Sequence, residues 1–518
     1  MISKLLLPFL PLAALTLAAV PSGGTEEGDR SQPSEPPPGS PPLPPDEPPV
    51  VTKHELRIGD KKLQYFATAG LMPLKNDKGE TEARIFFVAY TLDTPEGDRN
   101  RPLMFSFNGG PGSSSVWLHL GGLGPRRVRM LDDGAMPPPP FRLIDNEQSW
   151  LEETDLVFID PVDTGYSRAS TPELAKQFCG VQKDLESVGE FIRLYLTRYR
   201  RWSSPLFLVG ESYGTFRSAG LAGHLIEKGI AFNGIVLVSS ILNMQTARFD
   251  EGNDLPYALF LPTYAATAWY HRKLSPDLQQ QGLAATLAEV EAWAAGEYPV
   301  ALAKGSALGT EERVAVAERL ARYTGLSTRY VEQSDLRIQI HRFCKELLRE
   351  ERRTVGRLDS RYTGFDASGV TETPDFDPSL SAIRPPHTAV LNDYLRSELG
   401  YETDAEYHIL RGLDWDWGSA KEGYPKTSGA LSSAFAKNPY LRLFIASGYY
   451  DLATPYFATD YTLRHLPLDP ATRANVLTEE YEVGHMVYLE KHALTKLKAD
   501  VASFIVDATS LAEKPLRP

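Results

Sequence analysis

Apolar and polar positions along residues 54–92 fall into short strand-like runs. Leu63-Gln-Tyr-Phe-Ala-Thr and Arg84-Ile-Phe-Phe-Val-Ala-Tyr-Thr-Leu are parted by the turn-rich Lys75-Asn-Asp-Lys-Gly-Glu. This pattern predicts two or three antiparallel strands joined as hairpins. Beyond it the rhythm changes to short, continuously apolar runs: Leu103-Met-Phe-Ser-Phe, Asp155-Leu-Val-Phe-Ile, Pro205-Leu-Phe-Leu-Val, Gly234-Ile-Val-Leu-Val and Leu441-Arg-Leu-Phe-Ile-Ala. Runs with so little alternation fit strands buried on both faces, as in a mostly parallel sheet. Val181, Leu185, Val188, Ile192, Tyr195 and Tyr199 recur every three or four residues, which predicts an amphipathic helix from Val181 to Trp202. Strands alternating with helices imply an α/β fold with right-handed crossovers.

From about Asn243 to Asn438 the short apolar strands stop, and charged helical segments follow at Ala284–Ala294, Glu311–Tyr323 and Ser334–Arg349. The stretch reads as a helical cap inserted between two core strands. The expected organisation is a core of residues 51–242 and 439–518, with the cap at 243–438. No repeat of 20–50 residues is visible, so a solenoid is not expected.

The first fifty residues belong to neither part. Lys4 precedes an uncharged Leu/Ala-rich run from Leu5 to Val20, about the length of a signal-peptide apolar region and short for a membrane span. Residues 1–20 are therefore expected to be a signal peptide. With no cysteine near the end of the run, a lipoprotein anchor is excluded. Eleven of the next thirty residues, 21–50, are proline, and such a segment buries too little apolar area to order, so it is read as an extended linker. Export to the periplasm or the medium follows as the expected address, with no stable membrane association once the signal is removed.

Composition narrows the function classes. The 518 residues carry a net charge of −13 with no basic block, which argues against nucleic-acid binding. Cys179 and Cys344 are the only cysteines, enough for one bridge or none and too few for a disulfide scaffold. No His, Cys and carboxylate cluster has metal-ligand spacing, so neither a metal nor another cofactor is expected.

The chemistry points to a serine. Gly210-Glu211-Ser212-Tyr213-Gly214 joins an apolar strand to a helix-forming segment, the strand–turn–helix context of a nucleophile elbow. A serine needs a base, and the base needs an orienting carboxylate. In sheets of this kind the order along the chain is serine, acid, histidine. Asp451 follows the strand at 441–446, and His485 follows the last predicted strand, Val476-Leu-Thr-Glu-Glu-Tyr. Asp460, His465 and His492 sit less well against strand ends. The glycine-rich Asn108-Gly-Gly-Pro-Gly-Ser-Ser-Ser follows another strand, and the amides of Gly110 and Tyr213 are the candidate donors to an oxyanion.

Four ordered motifs, Asn108-Gly-Gly-Pro-Gly-Ser-Ser-Ser, Asp160-Pro-Val-Asp-Thr-Gly-Tyr-Ser, Gly210-Glu-Ser-Tyr-Gly and Gly484-His-Met, resemble those of the serine carboxypeptidases. The resemblance implies an α/β-hydrolase fold with a helical insertion and removal of C-terminal residues from peptide substrates. It implies Ser212, Asp451 and His485 as triad, with Asn108, the Gly109 amide and Glu211 holding the substrate's terminal carboxylate. Tyr166 is a candidate subsite residue or an ordinary packed aromatic. A carboxylate beside Glu211 requires a shared proton, so binding should be strongest when Glu211 is protonated.

The chain departs from the family pattern in several places. Ser106 stands where Trp is common, Ser113 where Cys is, and Asp163 where Gly is, in a loop one residue shorter. Gly122 replaces an acid that would help to raise the Glu211 pKa. The few cysteines and the absence of an Asn-x-Ser/Thr sequon suggest a bacterial-type member. The leading expectation is an exported serine carboxypeptidase. The alternatives are an esterase, lipase or acyltransferase using the same triad, and a non-catalytic binding protein. The stretch Leu413–Gly418 is read as structural packing, with a cleft-floor role as its alternative.

Overall fold

The computed structural model describes residues 47–94, 100–418 and 423–510. The expected signal peptide and nearly all of the expected linker lie outside these residues. The strands of the main sheet are β1 (Val50–Ile58), β2 (Lys61–Lys75), β3 (Thr81–Leu92), β4 (Leu103–Phe107), β5 (Asp155–Ile159), β6 (Leu206–Ser212), β7 (Gly234–Ser240), β8 (Arg442–Gly448) and β9 (Val476–Tyr481). Their order across the sheet is β1-β2-β3-β5-β4-β6-β7-β8-β9, with the short Arg168–Ala169 strand pairing β3. The β1, β2 and β3 pairings are antiparallel, as is β3 with β5. From β5 onward every pairing is parallel. This is the α/β-hydrolase architecture.

The apolar runs are buried on both faces because successive residues of one strand enter two different cores. Met104, Phe207, Val209, Val236 and Val238 join one cluster with helices Pro378–Ser397 and Lys491–Ser510. Leu103, Phe105, Leu208, Ile235 and Leu237 join the other, with helices Val181–Arg198, Tyr213–Ile226 and Ser428–Lys437. A third cluster lies within the insertion, from Ala258 to Val355, and reaches Tyr450, Leu452 and Phe457 beyond β8. The stretch expected as a cap thus contributes two of its helices to the layers that flank the sheet.

Three local features differ from the sequence pattern. The helix starting at Val181 ends at Arg198, and Arg200 takes a positive φ of 55°. Of the helix expected at Ser334–Arg349 only Ile340–Glu346 forms, because Asp335 and Leu336 adopt φ of 52° and 60° and turn the chain first. The twenty-residue helix Pro378–Ser397 contains Pro385 and Pro386, residues that speak against a helix interior. Both cysteines are free and buried. Among the described residues no helix is long and apolar enough to cross a membrane.

Candidate active site

Strands β6, β8 and β9 run parallel, so their C-terminal ends share one edge of the sheet. Ser212 is the last residue of β6, Asp451 follows β8, and His485 follows β9. Ser212 takes φ 59° and ψ −128°, the strained geometry of an elbow between strand and helix. Asp451 and His485 are 0% and 3% exposed, so water does not compete for their contact.

His485 Nδ1 lies 2.7 Å from Asp451 Oδ2. Donation of this proton to the carboxylate leaves Nε2 as the base. Burial pulls the imidazole pKa down, but the charge and hydrogen bond of Asp451, with Glu211, outweigh it and the net shift is upward. The carboxylate is itself held. The amides of Ala453 and Thr454 donate to Asp451 Oδ1 at 2.8 and 3.1 Å, and Thr454 Oγ1 donates to Oδ2 at 2.7 Å. Ser239 Oγ donates to the His485 carbonyl at 2.6 Å. Thr454 and Ser239 were not anticipated from the sequence. The short Asp-x-x-Thr spacing is a readable signal for the first, whereas the second depends on pairing across the sheet.

The glycine-rich loop lies directly on the elbow. A Cβ on Gly109 would come within 2.4 Å of the Tyr213 amide nitrogen, and one on Gly214 within 2.8 Å of the Phe107 carbonyl. Only glycine at both positions permits this approach. Tyr213 opens its helix, so its N–H has no intrahelical acceptor. Gly110 takes φ 101° in the same loop.

Two buried groups outside the expected set hold the loop. Asp160 Oδ1 accepts from the Ser115 amide and hydroxyl, both at 2.8 Å, and burial pushes its pKa up to about 6 against those bonds. Gly165, at φ 49°, leaves room for this carboxylate, since a Cβ there would lie 1.7 Å from Asp160 Oδ2. Arg217 pairs with Asp184 at 2.8 Å and donates to the Asn108 carbonyl at 2.7 Å.

Asn108 and Glu211 meet beside the nucleophile. Asn108 Nδ2 donates to Glu211 Oε1 at 3.0 Å, and the Leu118 amide fixes Asn108 Oδ1 at 3.1 Å. Tyr488 Oη donates to Glu211 Oε2 at 2.5 Å. Burial drives the Glu211 pKa up to about 7, against the opposing pull of His485, Tyr488 and Asn108. Desolvation therefore raises this carboxyl although Gly122 removes the neighbouring acid. The Tyr488 side chain lies against Gly121 and Gly122, where a Cβ would meet its ring Cε2 at 2.4 Å and its Cβ at 2.6 Å. A phenol donor thus occupies the room that a side chain at 122 would need.

Asn108, Gly109, Gly110, Glu211, Ser212, His485 and Met486 line one cavity of about 410 Å³. Tyr166 is not part of its wall. It packs among Phe86, Tyr401 and Tyr407 at ring distances of 5.2, 5.7 and 4.9 Å, which fits the packing alternative rather than a subsite. Trp415 and Trp417 pack edge-on against Tyr213 at 5.4 and 5.9 Å and are likewise absent from the cavity wall. Among the described residues no cluster of His, Cys and carboxylates is arranged to hold a metal.

The serine carboxypeptidase family model matches residues 60–247, the stretch that carries the glycine-rich loop, the Asp160 motif and the elbow. Serine carboxypeptidase-like 9 of Arabidopsis thaliana is 27% identical over 225 residues, 40% of this chain and 49% of that protein. The pheromone-processing carboxypeptidase KEX1 of Saccharomyces cerevisiae is 33% identical over 156 residues, 28% of this chain and 20% of that protein. The chain thus spans half or less of the length of these relatives. They are plant and yeast proteins and lend no support to the bacterial-type expectation. The solved structure of KEX1(delta)p, a prohormone-processing carboxypeptidase from S. cerevisiae, aligns with TM-score 0.52 at 16% identity, over 85% of this chain and 91% of that one. That likeness concerns the fold.

Proposed function

We propose that this chain, which resembles the serine carboxypeptidases over residues 60–247, is a serine carboxypeptidase that releases the last residue of a peptide. The observation that carries the reading is the buried Asn108–Glu211 pair in the same cavity as Ser212 and His485. An esterase or acyltransferase has the same need for a triad but no C-terminal carboxylate for this pair to hold.

In this mechanism the peptide's terminal carboxylate accepts from Asn108 Nδ2, the Gly109 amide and protonated Glu211. Ser212 Oγ attacks the last peptide carbonyl while His485 Nε2 takes its proton. The oxyanion rests on the Gly110 and Tyr213 amides. Collapse breaks the C–N bond, and His485 returns the proton to the leaving amine. Water, deprotonated by His485, then releases the acyl group from Ser212. Asp451 fixes the imidazole tautomer throughout.

The test compares an N-blocked dipeptide with its C-terminal amide between pH 4 and 8. The expected result is preference for the free acid, fading as pH rises through about 7, where Glu211 loses its proton. Ser212→Ala should lower kcat by roughly 10⁴-fold or more. Equal turnover of acid and amide, or ester hydrolysis with no peptide cleavage, would overturn the assignment. Export is part of the proposal and rests on the Leu5–Val20 run. Mass analysis of the secreted protein's N-terminus tests it, and an intact Met1 in the mature protein would contradict it.

A further inference from the structure

The catalytic cavity carries three arginines that the peptidase chemistry does not use: Arg357, Arg384 and Arg411. Arg357 is the most constrained of them. Its carbonyl accepts from the Leu452 amide at 3.0 Å, next to Asp451, and the carbonyl of the following residue, Leu358, accepts from the His485 amide at 2.6 Å. Its own amide donates to Asp377 Oδ1 at 3.2 Å. The backbone of Arg357 is thereby pinned between the two loops that carry the acid and the base. Its guanidinium makes no hydrogen bond or ion pair among the described residues.

The other two cations are also poorly matched. Arg384 reaches only the Leu410 carbonyl, at 3.1 Å. Arg411 forms a long ion pair with Asp163, at 3.3 Å, and meets His408 at 3.2 Å. The carboxylates of the cavity wall are Glu211 and Asp377. Asp377 Oδ1 is already shared among Arg357 N, Ser379 N, Ser379 Oγ and Leu380 N, where it caps the helix Pro378–Ser397. Glu211 is held by Asn108 and Tyr488. Even with Arg411 offset by Asp163, positive charge exceeds negative charge at the cavity wall, where Arg357 is half-buried and Arg384 and Arg411 are exposed, in a protein whose net charge is −13. An unpaired guanidinium in such a place is a ready partner for a carboxylate.

We propose that Arg357, supported by Arg384 and Arg411, selects peptides whose last residue is glutamate or aspartate. The inference rests on the carboxypeptidase reading above. In that reading the terminal carboxylate sits on Asn108, Gly109 and Glu211. The side chain of the same residue then enters the rest of this cavity, which the three arginines line. Two anionic groups of one residue are thus separated: the α-carboxylate on the Glu211 side and the side-chain carboxylate on the arginine side.

The test measures kcat/KM for N-blocked dipeptides that share a penultimate residue and end in Glu, Gln, Leu or Lys. Glutamate and glutamine have nearly the same shape, so their ratio isolates charge. The wild type should favour Glu over Gln by about tenfold or more, mostly through KM. Arg357→Gln should lower that ratio by about tenfold, and Arg357→Glu should shift preference toward Lys. Arg384→Gln, at an exposed position, serves as a second variant and should lower the ratio by a smaller factor. A loss of fold or of catalytic geometry would depress both substrates alike and leave the ratio where it was, which would overturn the proposal. So would an Arg357 whose role is to hold the α-carboxylate, because then every free-acid substrate weakens together. Release of Leu without preference for Glu over Gln contradicts this inference alone. Failure to release any dipeptide sinks the carboxypeptidase reading along with it.

Discussion

At the scale of single residues, the site turns on one carboxyl and the donors around it. Glu211 is buried with its pKa pushed up to about 7, so it is protonated on the acid side of that value, and in the proposed mechanism it donates to an incoming carboxylate. Tyr488 stabilises the charged form by donating to Oε2. Its removal leaves the carboxylate less supported, so Tyr488→Phe should move the alkaline limb of free-acid binding upward by about one pH unit. Glu211→Gln keeps a donor that does not titrate, and KM for the free acid should lose most of its rise between pH 6 and 8. Both variants are read from the pH profile of KM, and an unchanged limb in Tyr488→Phe would show that the phenol does not act through Glu211. Sequence motifs made Ser212, Glu211, Asp451 and His485 legible because chemistry fixes both their types and their places at strand ends. Tyr488 was not legible, since nothing in Val487-Tyr488 says that the ring fills the space over Gly121 and Gly122. Tyr166 stood in a recognisable motif, yet its ring belongs to an aromatic cluster.

At the scale of elements, the parallel strands set the site by ending together, and the glycine-rich loop must then be held against the elbow. Asp160 does this through the Ser115 amide and hydroxyl. Asp160→Ala would leave those two donors buried without a partner, a loss of about 2–4 kcal/mol in stability. It should also lower kcat more than it raises KM, because the loop carries the Gly110 amide. Gly165→Ala should give a similar loss, since its Cβ would overlap Asp160. Urea unfolding combined with steady-state kinetics checks both, and wild-type stability in either variant would remove Asp160 from this role. The strands could be read from sequence because burial on both faces writes itself as continuous apolar runs. Two helices of the insertion were read from their charged, helix-forming composition, and they form at Leu283–Ala295 and Thr310–Thr324. Ser334–Arg349 was misread because Asp335 and Leu336 turn left-handed inside a helical pattern. Pro378–Ser397 was not read as a helix, since Pro385 and Pro386 lie inside it and tertiary packing on the sheet sustains it.

At the scale of the whole molecule, the buried carboxyls couple the site to stability. Glu211 and Asp160 have folded pKa values of about 7 and about 6, against 4.5 and 3.8 for free side chains. Both shifts are upward, so the folded protein keeps protons that the unfolded chain has already released. Stability from these groups is fully present below about pH 4. It falls as pH rises through the window up to 6 for Asp160 and 7 for Glu211, and then stays level. At 1.36 kcal/mol for each pH unit, Glu211 alone accounts for about 3 kcal/mol. Glu211→Gln removes that dependence. Its unfolding midpoint should differ little in pH response from wild type near pH 4, gain on it steadily up to pH 7, and run parallel above. Midpoints in urea at half-unit steps from pH 4 to 8 measure this, and curves parallel over the whole range would mean that Glu211 titrates in the folded protein as it does in the unfolded chain. The catalytic and thermodynamic experiments then read the same proton. If free-acid binding and the stability difference change over the same pH interval, the carboxyl that grips the substrate is also the one the fold strains to keep neutral. In the proposed mechanism such a site binds its substrate best under the mildly acidic conditions in which these two carboxyls also contribute most to stability.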